Sequence, residues 1–303
     1  MYRSSRSFSP FFRLLFLMTL LPWSAHAQGR IDCGAVKSHV LSEAVHYCVL
    51  LPSGYDAAIR SHSPRRYPVL YYLHGLGDNE QTLFKSGGWD LIEDLRQQGK
   101  ISDFLIVTPD GMRSFYINSA DGRVRYSDFF IREFIPYIES HYSIRPGRSG
   151  RGISGVSMGG YGALRFAFAH PELFSSVSAE SAALIEKLPP EIETMRSPGP
   201  LDGLGAVFGN PADVRHWNQS NPFFLAKQNR TQIRTSRLSI YFNCGREDEF
   251  GFDLGAEELH RQLQAEGIPH EFHLYPGNHG AEYFLAHLGE TMAFHSRRFA
   301  AGN

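Results

Sequence analysis

The run Gly155-Val156-Ser157-Met158-Gly159 sets a serine between two glycines and continues as Gly160-Tyr161-Gly162 into a helix-like segment, Ala163 to His170, stopped by Pro171. A serine hydroxyl is a weak nucleophile until a base takes its proton. A sharp strand-to-helix turn lifts such an Oγ above a sheet. The N-terminus of the following helix then favours the negative charge that develops when the oxygen attacks a carbonyl. Flanking glycines remove the Cβ atoms that would collide in the turn. A pattern this short also occurs in ordinary glycine-rich turns, and Arg151 to Ser154 before it is a poor strand by propensity. The serine therefore needs partners to mean anything.

A base stands where such a serine requires one. His279 lies in Pro276-Gly277-Asn278-His279-Gly280, between the last expected strand and the last expected helix, a loop at the carboxyl edge of a parallel sheet. His270 and His273 are rivals, but a spacing of three within a strand puts them on opposite faces, which suits neither catalysis nor a joint metal site. The acid should also follow a strand, between nucleophile and base in the chain. Cys244-Gly245-Arg246-Glu247-Asp248-Glu249 does so, with Asp248 the choice and Glu247 and Glu249 left as alternatives, since spacing cannot rank three adjacent carboxylates. The order Ser157, Asp248, His279 is that of α/β-hydrolases and not of the chymotrypsin or subtilisin types.

A tetrahedral oxyanion needs two N–H donors. Met158, directly after the nucleophile, supplies one, and Leu76, between Gly75 and Gly77 after an early strand, supplies the other. His74 beside it reads as orienting that loop rather than as a base. Trp89 and Tyr116, with Phe250 and Phe252, are candidate walls of an acyl or aryl pocket, although each ring is individually more typical of a core.

These residues resemble the esterase family of α/β-hydrolases that includes esterase D, feruloyl esterases, S-formylglutathione hydrolases and mycolyltransferases. The matching pieces are Leu51-Pro52 with Tyr55, Tyr72-Leu73-His74-Gly75, Val107 to Gly111, Ser114-Phe115-Tyr116, and Ser157 to Leu164, of which Ser-Met-Gly-Gly is the most specific. The resemblance implies one α/β-hydrolase domain with Ser157 as nucleophile, Met158 and Leu76 as oxyanion donors, Asp248 as acid and His279 as base. It implies no cofactor and no metal. The family holds both hydrolases and acyltransferases, so an exported acyltransferase is the alternative enzyme, and a binding module on a hydrolase fold the non-catalytic one.

The elements around these residues form an α/β pattern, a mostly parallel central sheet with helices on both faces. Val69 to Leu73 and Phe104 to Thr108 are continuous apolar runs suited to central parallel strands. A helix is expected from Ser127 as its cap, kinked at Pro136. Leu238 to Phe242 and His270 to Tyr275 read as strands, Asp253 to Glu266 as a helix stopped by Gly267, and Ala281 to Phe299 as the last helix. Between Ala182 and Ser236 the pattern weakens among scattered prolines, as a lid or acyl-pocket wall does, or as irregular surface packing does.

At 303 residues with 42% apolar content, one domain with a sizeable core is the simplest account, since no linker, repeat or charge block divides the chain. Thirty basic against 31 acidic residues gives no electrostatic footprint for nucleic acid. Arg3, Arg6 and Arg13 precede the apolar run Leu14 to Leu21 and the small-residue end Ala25-His26-Ala27, which reads as a secretory signal peptide over residues 1–27. That run is about half the roughly 20 residues a bilayer crossing takes. The mature chain, 28–303, is then expected to be secreted or periplasmic, without a stable membrane anchor, and to act on a small-molecule or carbohydrate-linked ester. Export favours disulfides. A turn at Ser42-Glu43 would set Cys48 opposite residue 37, however, so a Cys33–Cys48 bridge is not the expected pairing.

Overall fold

The computed structural model describes Met1, residues 29–188 and residues 202–302. Residues 2–27 of the expected signal peptide and Pro189, Pro190, Pro198 and Pro200 of the weakly patterned segment lie outside the described residues.

The described residues form one eight-stranded sheet in the order β1-β2-β4-β3-β5-β6-β7-β8. Its strands are β1 (Arg30–Lys37), β2 (Ala44–Leu51), β3 (Val69–Leu73), β4 (Leu105–Pro109), β5 (Arg151–Val156), β6 (Ser176–Glu180), β7 (Ser239–Gly245) and β8 (Glu271–Tyr275). β2 runs antiparallel to both its neighbours, β1 and β4, and the remaining pairings, among β3 to β8, are parallel. β3 and β4 are entirely buried, as continuous apolar runs covered on both faces must be. β5 is a strand despite its weak propensity, because it pairs in register with β3 on one side and β6 on the other. The chain reverses its order of strand addition between β3 and β5, and in open α/β sheets the crevice at such a point is where ligands bind.

Two apolar cores cover the sheet. On one face Phe130, Phe134, Phe166 and Phe168 pack against Tyr71, Val107, Ile153 and Val177. On the other, Trp89 and Ile92 of helix Gly88–Gln97 meet Leu288, Met292 and Phe299 of the C-terminal helix Ala281–Ala301. Beneath that C-terminal helix lies a polar layer. His295, wholly buried, has Nδ1 2.8 Å from Ser176 Oγ and Nε2 2.8 Å from Ser178 Oγ, and Ser178 Oγ donates to Ser154 Oγ.

Two expectations change. The expected helix begins at Tyr126, one residue before Ser127, whose side chain makes no cap; its hydroxyl instead accepts from Arg165 Nη1. Pro136 lies just after a π-helical stretch, Phe130–Phe134. A proline has no N–H for the carbonyl four residues back, and a widened turn accommodates its ring. The second change is the bridge. Cys33 and Cys48 are directly opposite in the β1–β2 register and form a disulfide. The strands are joined not by a tight turn at Ser42-Glu43 but by a six-residue loop closed by Ser38 N–H donating to Glu43 O, which moves the register by four residues.

Candidate active site

Ser157 sits between β5 and helix Met158–Ala169 with φ +54° and ψ −118°, a conformation that costs a non-glycine residue about 1–3 kcal/mol. Its neighbours explain why the turn persists. A Cβ on Gly155 would lie 2.3 Å from the Gly159 carbonyl carbon, and one on Gly159 only 2.0 Å from Leu73 O. The Ser157 N–H donates to Glu180 O of β6, so the strained residue is tied into the adjacent strand.

The β5, β7 and β8 loops bring Ser157, Asp248 and His279 together. His279 Nε2 is 2.9 Å from Ser157 Oγ and its Nδ1 is 2.8 Å from Asp248 Oδ2. Since the carboxylate can only accept, Nδ1 carries the proton and Nε2 is left to take one from Ser157. Asp248's side chain is fully buried and its other oxygen accepts from Phe250 N–H at 3.1 Å. Burial pushes its carboxyl pKa up, but the bond and charge of His279, the Phe250 N–H and the Cys244 thiol outweigh this and hold it below the usual value. Cys244 Sγ lies 3.5 Å from Asp248 Oδ2, and burial pushes its thiol up to about 12, so it remains a proton donor there.

The rival carboxylates have separate places. Glu247 Oε2 accepts from Gly277 N–H at 2.5 Å and Glu249 Oε2 from His279 N–H at 2.9 Å, both at the surface. They grip the backbone of the histidine loop and do not reach its ring. Sequence reasoning missed that role, because the facing of the two loops arises only in the folded sheet. His270 is held by Ile268 O and His260, well away from Ser157's loop.

Met158, the first residue of its helix, is almost fully buried, and first-turn N–H groups lack intrahelical partners. Leu76 is partly buried on the loop after β3. A Cβ on Gly75 before it would stand 3.6 Å from Ser157 Cβ, in ordinary van der Waals contact, so this loop lies against the nucleophile. His74 fixes this loop: its Nε2 accepts Gly111 N–H at 2.7 Å, so its Nδ1 carries the proton and donates to Gly75 O at 2.8 Å.

The aromatic candidates divide. Phe250 and Phe252 stand edge-on to the His279 ring at 4.9 and 5.4 Å, with Phe284, which the sequence did not single out, at 5.3 Å. Trp89 and Tyr116 are both buried. Trp89 packs in the second core, and Tyr116 is fully buried with its hydroxyl donating to His74 O at 3.1 Å. Core demand for large apolar rings took both. Among the described residues no group of three or more His, Cys, Asp or Glu side chains could hold a metal ion, and no helix is long and apolar enough to cross a membrane.

The sheet order, the elbow and the three converging loops define an α/β-hydrolase. A family model described as "Putative esterase" matches residues 38–295, and the chain belongs to that esterase family. It is 31% identical over 248 residues to Esterase Rv1288 of Mycobacterium tuberculosis, a match covering 76% of this chain and 51% of the relative. The chain thus spans about half the length of the curated relatives it first matches. An endo-1,4-beta-xylanase/feruloyl esterase of Xylanibacter ruminicola is 33% identical over 130 residues, 42% of this chain and 18% of that protein. Among solved structures, a ferulic acid esterase superposes with a TM-score of 0.72 at 25% identity, covering 89% of this chain and 99% of that one.

Proposed function

We propose that this protein is an exported serine carboxylic-ester hydrolase that works through an acyl-enzyme on Ser157. The observation that carries the reading is the unbroken line Ser157 Oγ, His279 Nε2, His279 Nδ1, Asp248 Oδ2, with hydrogen-bond spacings of 2.9 and 2.8 Å in a protonation pattern that suits proton removal. His279 takes the serine proton as Oγ attacks the ester carbonyl, and the oxyanion accepts from the Leu76 and Met158 N–H groups. Asp248 holds the imidazole tautomer and stabilises the imidazolium, which then protonates the departing alcohol oxygen. Water repeats the sequence against the acyl-enzyme and releases the acid.

An acyl or aryl ester, including a feruloyl-type one, is supported by the similarity to a ferulic acid esterase and to a xylanase/feruloyl esterase. Export rests on the arginine-flanked apolar run before Ala27. Transfer of the acyl group to a sugar or lipid hydroxyl would use the same residues; ester products formed with added alcohol acceptors would reveal it. The decisive test is Ser157→Ala. The variant is expected to fold, to lose fluorophosphonate labelling, and to fall about 10⁴-fold or more in kcat on an activated ester. Retention of more than about a tenth of wild-type activity would overturn the assignment.

A further inference from the structure

Beside the nucleophile, between the loop after β3 and the start of the C-terminal helix, lies a cavity of about 200 Å³. Its apolar lining comes from Tyr72, Leu83, Val156, Phe284 and Leu288. Val156 immediately precedes Ser157, and Phe284 is the ring packed edge-on against His279. The cavity therefore borders the reacting atoms. Among the described residues Phe250, also edge-on to the His279 ring, is half exposed, so this part of the site faces solvent. An acyl-enzyme keeps its acyl group while alcohol departs and water enters, so the enclosed side suits the acyl group and the open side the alcohol.

One charged side chain lines this cavity among the described residues. Asp78 Oδ2 and Ser157 Cβ lie 3.1 and 3.6 Å from where a Gly75 Cβ would stand, so carboxylate and nucleophile flank the same glycine. His74, also on the lining, is engaged by backbone groups, its Nε2 accepting the Gly111 N–H and its Nδ1 donating to Gly75 O. Asn79, Thr82 and Ser86 are polar but uncharged. Asp78 is exposed at the mouth of the cavity, so a second negative charge brought beside it would meet a repulsion that water and salt screen only in part, with no cation on the described lining to offset it.

We propose that this cavity is the acyl subsite of the esterase reading on which the proposal rests, and that Asp78 makes it select acyl groups without negative charge. A six-carbon acyl chain is small enough to test this without leaving the cavity. The substrates are p-nitrophenyl acetate, hexanoate and 6-hydroxyhexanoate and the mono-p-nitrophenyl ester of adipic acid, which share one leaving group. Each kcat/KM is divided by that for acetate, so that a general loss in a variant cancels.

In the wild type the hexanoate and hydroxyhexanoate ratios are expected to exceed the adipate ratio at least tenfold at low salt. Asp78→Asn should narrow that gap at least fivefold, and raised salt should narrow it in the wild type but hardly in the variant. Ser86→Trp, at the exposed rim, should lower the hexanoate ratio about tenfold by filling the entrance. Equal ratios for hexanoate and adipate in the wild type, or a gap unaltered by Asp78→Asn, overturns the charge selection. An unaltered hexanoate ratio in Ser86→Trp overturns the acyl subsite. In both cases wild-type turnover of acetate leaves the esterase reading standing, whereas absence of turnover on all four esters removes that reading and this one with it.

Discussion

Asp248, Glu247 and Glu249 all accept hydrogen bonds from the segment Gly277 to His279, but the buried Asp248 takes its bond from the imidazole while the exposed glutamates take theirs from backbone N–H groups. Removing the charge at Asp248 leaves the imidazolium uncompensated and disfavours the Nδ1–H tautomer, an effect of about 10⁴ in kcat in a well-studied triad. Asp248→Asn is therefore expected to lose at least 10³-fold in kcat. Glu247→Gln and Glu249→Gln keep an acceptor oxygen for the same N–H groups and should remain within about tenfold. Steady-state kinetics on one activated ester, with folding checked by circular dichroism, compares the three. A large loss in a glutamate variant with Asp248→Asn near wild type would reassign the acid. The choice among three adjacent carboxylates was open in the sequence because only the burial of one of them, settled by packing, distinguishes them.

At the scale of elements, the helix Ala281–Ala301 lies over a sheet face that is polar where its partner face is apolar. Glu180 at the end of β6 is wholly buried; one oxygen accepts from Thr291 Oγ1, the other has no partner among the described residues. Burial raises its carboxyl to about 8, and burial lowers His295 to about 3. The two groups act in opposite directions. The unfolded chain ionises Glu180 above about 4.5 while the folded chain keeps it protonated, so this contribution is full at low pH and lost as pH rises towards 8. His295 is neutral in the folded chain when the unfolded chain protonates it, so its contribution is full above about 6.5 and lost as pH falls towards 3. The two slopes cancel where the ranges overlap, so the contribution of these two groups to the unfolding free energy should be highest between about pH 4.5 and 6.5 and fall on either side. Glu180→Gln should flatten the alkaline fall between pH 5 and pH 8, by about 3–5 kcal/mol if the shift is fully expressed. Denaturant titrations of both proteins at pH 5, 6.5 and 8 measure it, and parallel curves would show that Glu180 ionises freely in the folded protein.

For the molecule as a whole, the disulfide fastens an edge of the sheet remote from the chemistry. β1 is the terminal strand and pairs only with β2, and the bridge joins residues 15 apart. Loop-closure entropy for a loop of that size predicts a stabilisation of about 3 kcal/mol. A Cys33→Ser/Cys48→Ser variant is expected to melt about 6–12 °C lower, given about 2–4 °C per kcal/mol for a domain of this size. Its kcat at 25 °C should match the wild type, because Ser157, Asp248 and His279 lie on β5, β7 and β8 loops across the sheet. Differential scanning calorimetry alongside an esterase assay tests both halves, and a fall in kcat without a fall in melting temperature would contradict this placement.

The local pattern of the chain determined the α/β class, the strands at Val69 to Leu73 and Leu238 to Phe242, the last helix, and the loops holding Ser157 and His279. It could do so because apolar period, glycine at sharp turns and strand-end position are properties of neighbouring residues. Tertiary structure decided the rest. β5 exists because two neighbouring strands supply its hydrogen bonds, which no propensity records. The Cys33–Cys48 register followed from a six-residue loop whose closure was not legible in its residue types. Trp89 and Tyr116 went to the cores while Phe284 came to His279, because which face of an element a ring occupies depends on what packs opposite it.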